Sequence, residues 1–182
     1  MIGWFQRYLA HDDPRVALAN AIAVVIFVNQ PFYPLYVYFI AGNAAWVTIV
    51  TFISTPFFFL VPALARRNAV AARVLLCVAG TFNTAVSVWA FGEATGVALF
   101  YLPCILIGVL LFRKSEWLAS AFCTGLPMAA FFFLQGRFGA PLHAFGNEQY
   151  TALATLHAVS VGFLTAFIGY QFSTAFEAEQ KA

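Results

Sequence analysis

The residues able to do chemistry in this chain are few, and they share one depth. Inside long uncharged stretches stand Asn83, Trp89, Tyr101, Cys104, Met128, Phe132 and His157. At about 1.5 Å per helical residue, all of them fall near the middle or in one half of a membrane-sized layer. Such a layer is a candidate binding site for a lipophilic small molecule in the outer half of the bundle. These seven are the candidate ligand-binding residues. Lipid contact or bundle core explains the aromatic positions equally well, whereas an ionisable group such as His157 is expected to face a bundle interior. Val97 reads as a lipid-facing position.

Catalytic chemistry finds little to work with. No carboxylate lies inside an uncharged stretch, so no acid–base pair or proton relay can form there. HExxH, GxSxG and phosphate-loop motifs are absent from the sequence, and this segment is not expected to be an enzyme. The histidines leave one alternative, a single b-type heme held by His143 and His157, with His143 folding inward from a loop. The main reading requires no cofactor and no metal. Cys77, Cys104 and Cys123 fall in three different spans as small apolar side chains, without a CxxC pair for zinc.

The elements that must position these residues follow from charge. Lys, Arg, Asp and Glu are missing from residues 16–65, 74–92, 94–112, 117–136 and 149–176. A hydrocarbon core of about 30 Å takes about 20 residues per crossing, so the first stretch covers two crossings and each other stretch one. The pattern predicts an all-α, integral membrane six-helix bundle with spans near 16–40, 44–65, 70–91, 94–112, 116–136 and 149–172. Hydrophobic residues make up 63% of the chain, charged residues 9%, and mean hydropathy is +0.85, which excludes an ordinary soluble domain. A net charge of +2 without a basic run gives no surface for nucleic acid.

Loop charges set the expected orientation. Arg7 and Arg15, then Arg66, Arg67 and Arg73, then Arg113 and Lys114 fall in alternate connections, while the intervening ones hold only Glu93 or Arg137 with Glu148. The positive-inside rule places both termini in the cytoplasm. Trp4, Phe5, Tyr8 and Leu9 give residues 1–13 one aromatic face, as in a short helix lying on the membrane surface. Asp13, Asn43, Asn68 and Ser115 are placed to cap helices. Pro31 and Pro34 interrupt the first span, so Asn29 and Gln30 either patch the freed carbonyls locally or line a cavity.

Ala154, Ala158, Gly162 and Ala166 recur every four residues on the last span, a ridge for close packing within the bundle or for a dimer seam. The same helix is expected to run on through residues 173–182, which contain no Gly or Pro stop. That end looks cut, with a cytoplasmic domain missing beyond it.

Six short-looped spans, the pairs Arg66-Arg67 and Arg113-Lys114, and a last helix entering Phe176-Glu177-Ala178-Glu179-Gln180-Lys181-Ala182 resemble the membrane anchors of bacterial sensor histidine kinases and class III adenylyl cyclases. The nearest likeness is the six-helix receptor module of quorum-sensing kinases for α-hydroxyketone signals. The resemblance covers the whole chain through its architecture and carries no ligand residue across. It implies a homodimeric receptor module in the bacterial inner membrane that senses a lipophilic signal and drives a kinase or cyclase. A small transporter or a structural membrane subunit is the rival class; the prolines cluster in the first two spans and match an inverted repeat poorly.

Overall fold

The computed structural model describes residues 7–181, and every regular element among them is helical. Trp4 and Phe5 of the expected surface helix lie outside the described residues. Helix α1, Pro14–Asn29, starts where the Asp13 carboxylate accepts the Arg15 N–H at 2.9 Å and proline occupies the first turn. It passes through a 3₁₀ turn at Gln30–Phe32 into α2, Tyr33–Ala41. The tighter turn resolves the proline problem in part, because the Tyr33 N–H reaches the Gln30 carbonyl that Pro34 cannot serve.

The chain reverses at Gly42, whose φ of +56° favours glycine although nothing lies within 4 Å of the place where a Cβ would stand. The return arm is a 3₁₀ helix over Gly42–Ser54 followed by α3, Thr55–Ala65. It runs back along the first arm, with α2 beside the 3₁₀ segment and α1 beside α3. A 3₁₀ run of 13 residues is far longer than usual. Its sequence favours it: Val47, Thr48, Ile49, Val50, Thr51 and Ile53 are β-branched and poor α-formers. Thr48, Thr51 and Ser54 stand three apart, and each hydroxyl bonds the carbonyl three residues earlier, at 2.7, 2.7 and 2.8 Å. At about 2.0 Å rise per residue the shorter return arm also reaches about 42 Å, matching its partner.

Helix α4, Ala69–Phe91, is capped by Asn68, whose side chain accepts the Ala71 N–H at 2.9 Å. Short 3₁₀ turns at Glu93–Thr95 and Val97–Phe100 then lead into α5, Tyr101–Leu110. The fourth expected span is thus α-helical only in its second part. Helix α6, Trp117–Leu134, and the loop 135–146 precede α7, Asn147–Lys181, which continues without a break. Asn43 and Ser115 do not cap. The return arm begins without a side-chain cap, and before α6 the Glu116 carboxylate accepts the Arg113 N–H at 2.8 Å instead.

The main core joins Val16, Ala19 and Ile22 of α1 with Phe58 of α3, Leu76 and Cys77 of α4, Leu111 after α5, Cys123 of α6 and Ile168 of α7. Helix α5 crosses α6 in close backbone contact. A Cβ on Gly108 would lie 2.8 Å from backbone atoms of Cys123 and Thr124, and the Ser120 hydroxyl bonds the Gly108 carbonyl at 2.9 Å. Small residues at such a crossing let apolar helices touch over their backbones.

Arg15, Arg66, Arg73 and Arg113 gather at one end of the bundle, whereas Arg137 lies at the other. Buried Arg73 bonds the Leu111 carbonyl at 2.6 Å and pairs with both Glu116 oxygens at 2.9 and 2.7 Å, while Arg15 bonds the Phe112 carbonyl at 2.7 Å. Both guanidiniums thereby serve carbonyls that the end of α5 leaves open. Arg113 reaches Asp13 at 3.3 Å, and Arg66 lies over the Tyr8 ring at 5.2 Å. Burial pushes the Tyr8 phenol above its ordinary range, outweighing Arg66. At the opposite end the Leu142 N–H bonds the Ala90 carbonyl at 3.0 Å and Glu93 accepts the Gly136 N–H.

Candidate functional site

The seven candidate residues do not form one site; five of them divide among three places, and Trp89 and Cys104 join none of these. The first is a polar seam inside the hairpin. Gln30, 6% exposed, donates to the Thr51 carbonyl at 3.0 Å and to the Ser54 hydroxyl at 2.9 Å, and accepts from Thr55 at 2.7 Å. Asn83 joins it, its side-chain oxygen 2.7 Å from the Ser54 hydroxyl, whose single proton it shares with the Thr51 carbonyl. Of the two readings left open for Gln30, neither describes it fully: it reaches across to the return arm as a structural clamp. Asn29 is exposed.

His157 defines the second place. It is fully buried on α7, with the Thr95 carbonyl 2.7 Å from Nδ1 and the Tyr33 hydroxyl 2.7 Å from Nε2. A carbonyl only accepts, so Nδ1–H is the donor and, in the neutral ring, Nε2 accepts the Tyr33 O–H. Phe91 and Phe100 rings meet the imidazole at 6.2 and 6.0 Å between centroids. Both nitrogens are engaged, which leaves no lone pair for heme iron. His143 packs on the Phe145 ring at 4.9 Å. The heme alternative therefore finds no support, and no cluster of metal-ligating side chains occurs among the described residues. What His157 does is fasten α7 to the 93–95 turn and to the first arm. Gly96 adds a close approach there, since a Cβ on it would come within 3.4 Å of Ala154.

The third place collects Tyr101, Met128 and Phe132. They line a cavity of about 470 Å³ between the 97–100 turn, α5 and α6, together with Leu102, Ile105 and Phe131. Cys104 is turned away from it, toward α4, where a Cβ on Gly80 would stand 3.1 Å from its sulfur. Trp89 is 40% exposed. Val97, expected at the lipid surface, is buried beside Tyr101.

Sequence inspection missed Thr95 and Tyr33 as the partners of His157, and the signal was weak: a carbonyl in a turn and a tyrosine distant in sequence. It also missed that Arg73 is a buried bridge. Its place one turn inside α4, away from the exposed Arg66-Arg67 pair, was the available sign.

Taken together, these features define a class. Among the described residues four helical stretches are long and apolar enough to cross a membrane, Pro14–Ala65, Ala69–Phe91, Lys114–Leu134 and Asn147–Thr174, and Val97–Leu110 is a shorter apolar one. The first of them is the hairpin that doubles back at Gly42. With large apolar side chains such as Phe39, Phe132 and Phe163 exposed on its flanks, this is a membrane protein. Residues 5–182 match the family model MASE7, and the chain belongs to that family of membrane-associated sensor domains. No curated protein and no solved structure matches it.

Proposed function

We propose that this chain is the sensory input module of a transmembrane receptor in the bacterial cytoplasmic membrane. The bundle crosses six times with both termini inside. It binds a lipophilic small molecule in its outer half, and α7 passes the resulting displacement to a cytoplasmic kinase or cyclase domain. The module works as a homodimer.

One observation carries the reading: α7 is a single helix from Asn147 to Lys181, docked at His157 and leaving the bundle at its far end. Among the residues whose burial is described, Ile168 is its last buried one, and Ser173, Thr174, Phe176 and Glu177 are exposed. At about 1.5 Å per residue the helix is about 52 Å long, well beyond an apolar core of about 30 Å. The small-residue ridge supports the dimer. Ala154 packs within the bundle, but Ala158, Gly162 and Ala166 are exposed and nothing lies within 4 Å of a Cβ on Gly162.

The test joins the chain at Lys181 to a cytoplasmic histidine kinase reporter and inserts two glycines after Phe176. A continuous helix can carry a shift of about 1–2 Å, and a flexible break absorbs it. Lost regulation with normal membrane insertion is the expected result; unchanged regulation contradicts the rod.

A further inference from the structure

The return arm of the hairpin is patterned in threes. Ala45, Thr48, Thr51 and Ser54 are buried, whereas Trp46 and Ile49 are 53% and 69% exposed. Positions three apart eclipse in a 3₁₀ helix, so these small and polar residues form one straight edge, which meets Gln30 and Asn83 at Thr51 and Ser54. In an α-helix each step of three turns the side chain back by about 60°, and Thr48 and Ser54 would stand about 120° apart. Long 3₁₀ runs are uncommon because their hydrogen bonds are poorer, and within a helix they often mark a hinge. Residues 43–54 contain no Gly or Pro, so α geometry is open to all of them.

Helix α4 shows what the hydroxyls do in that geometry. Thr81, Thr84 and Ser87 each bond the carbonyl four residues earlier, at 2.9, 3.0 and 2.8 Å, where Thr48, Thr51 and Ser54 bond the carbonyl three earlier. Ser and Thr serve either ladder, so the arm's own hydroxyls do not choose between the two forms. The bonds that do choose run across the hairpin. Gln30 donates to the Thr51 carbonyl and the Ser54 hydroxyl, Thr55 donates to Gln30, and Ser54 meets Asn83 of α4. They gather where the 3₁₀ run gives way to α3.

We infer that the return arm is a two-state element, 3₁₀ while the Gln30 clamp is closed and α-helical when it opens. The inference goes beyond the sensory reading and needs no ligand. An α-helix rises about 0.5 Å less per residue, so conversion shortens the arm by about 6 Å, close to one helical turn. Helix α3 is held in the main core by Phe58, Val61 and Ala65, so the Gly42 end slides. It takes α2 with it, and the 3₁₀ turn holding Pro31 is the joint on the first arm. Tyr33 at the start of α2 holds His157, so the slide reaches α7.

The experiment places spin labels on cysteines at exposed positions 43 and 60, in the full chain with its native cysteines replaced, and measures their distance in nanodiscs. The arm spans about 31 Å between them in the 3₁₀ form and about 25 Å in the α form. The parent chain should give the longer distance. Gln30→Leu removes the clamp from one side and the double change Ser54→Ala with Thr55→Val removes it from the other; each should bring in a population shorter by about 6 Å. Asn29→Leu, at the exposed neighbouring position, should keep the longer distance. The parent distance in either folded clamp variant overturns the switch, as does the shorter distance in the parent chain. The same shortening in Asn29→Leu would show that Gln30 is not the latch. Failure of both clamp variants to fold would mean that the clamp holds the bundle and not the arm, and would overturn the inference equally.

Discussion

Three glycines face three different surroundings, and substituting each by alanine gives a graded test of how the helices pack. At Gly108 a Cβ would lie 2.8 Å from the Cys123 carbonyl carbon and oxygen and from the Thr124 nitrogen. These are backbone atoms of a helix, so α5 and α6 must separate by several tenths of an ångström. At Gly80 the Cβ meets the Cys104 sulfur at 3.1 Å, which a side-chain rotation relieves. At Gly162 it meets nothing within 4 Å. Alanine removes a glycine's helix penalty of about 1 kcal/mol at all three positions. Overpacking at Gly108 costs about 1–3 kcal/mol against that gain. Gly162→Ala should then be neutral to stabilising by up to about 1 kcal/mol, Gly80→Ala close to neutral, and Gly108→Ala destabilising by up to about 2 kcal/mol. For a chain of this size 1 kcal/mol moves Tm by about 2–4 °C, so Gly108→Ala should lower it by up to about 8 °C. Thermal unfolding in one detergent, followed by circular dichroism, reads all three. If Gly108→Ala is as stable as Gly162→Ala, α5 and α6 do not cross at their backbones and the argument fails.

Two further outcomes follow from the charged end. Arg73→Ala strands Glu116 and the Leu111 carbonyl; because Glu116 is about 20% exposed, the loss should sit at the low end of the buried-pair range, about 3 kcal/mol, against less than about 0.5 for Arg67→Ala. Cysteine labelling in whole cells should find positions 67 and 113 protected from impermeant reagents and positions 43 and 140 accessible, and an accessible position 67 would reverse the orientation.

Much of the fold was legible because charge and hydropathy decide what a bilayer accepts. The uncharged stretches between Arg73, Glu93 and Arg113 marked the apolar segments, and Asp13 and Asn68 marked their starts. Other details rest on contacts no local pattern carries. The clamp on the 3₁₀ arm depends on Gln30 reaching Thr51, Ser54 and Thr55 across the hairpin, and equal depth along the helices could not tell Tyr101, which lines the cavity, from Cys104, whose sulfur lies against Gly80 of α4. The candidate site was legible as a layer and not as a cavity: Tyr101, Met128 and Phe132 meet, whereas Asn83 and His157 serve the framework. That Arg15 and Arg73 share one end of the bundle was readable, but their task of holding the carbonyls of Phe112 and Leu111 follows only from the bundle's closure.

The central claim is that an occupant of the bundle moves α7. Spin labels on cysteines at positions 67 and 174, in a chain whose native cysteines are replaced, measure that movement by double electron–electron resonance in nanodiscs. Both positions are exposed, and Ala65 and Ile168 place them near the same end of the core. On titration to saturation with a panel of lipophilic small molecules, at least one should shift the distance distribution by about 1–2 Å or more, the scale of helix displacements at switching interfaces. His157→Ala, which frees α7 from Thr95, should abolish the shift. An unchanged distribution at saturation would contradict the account.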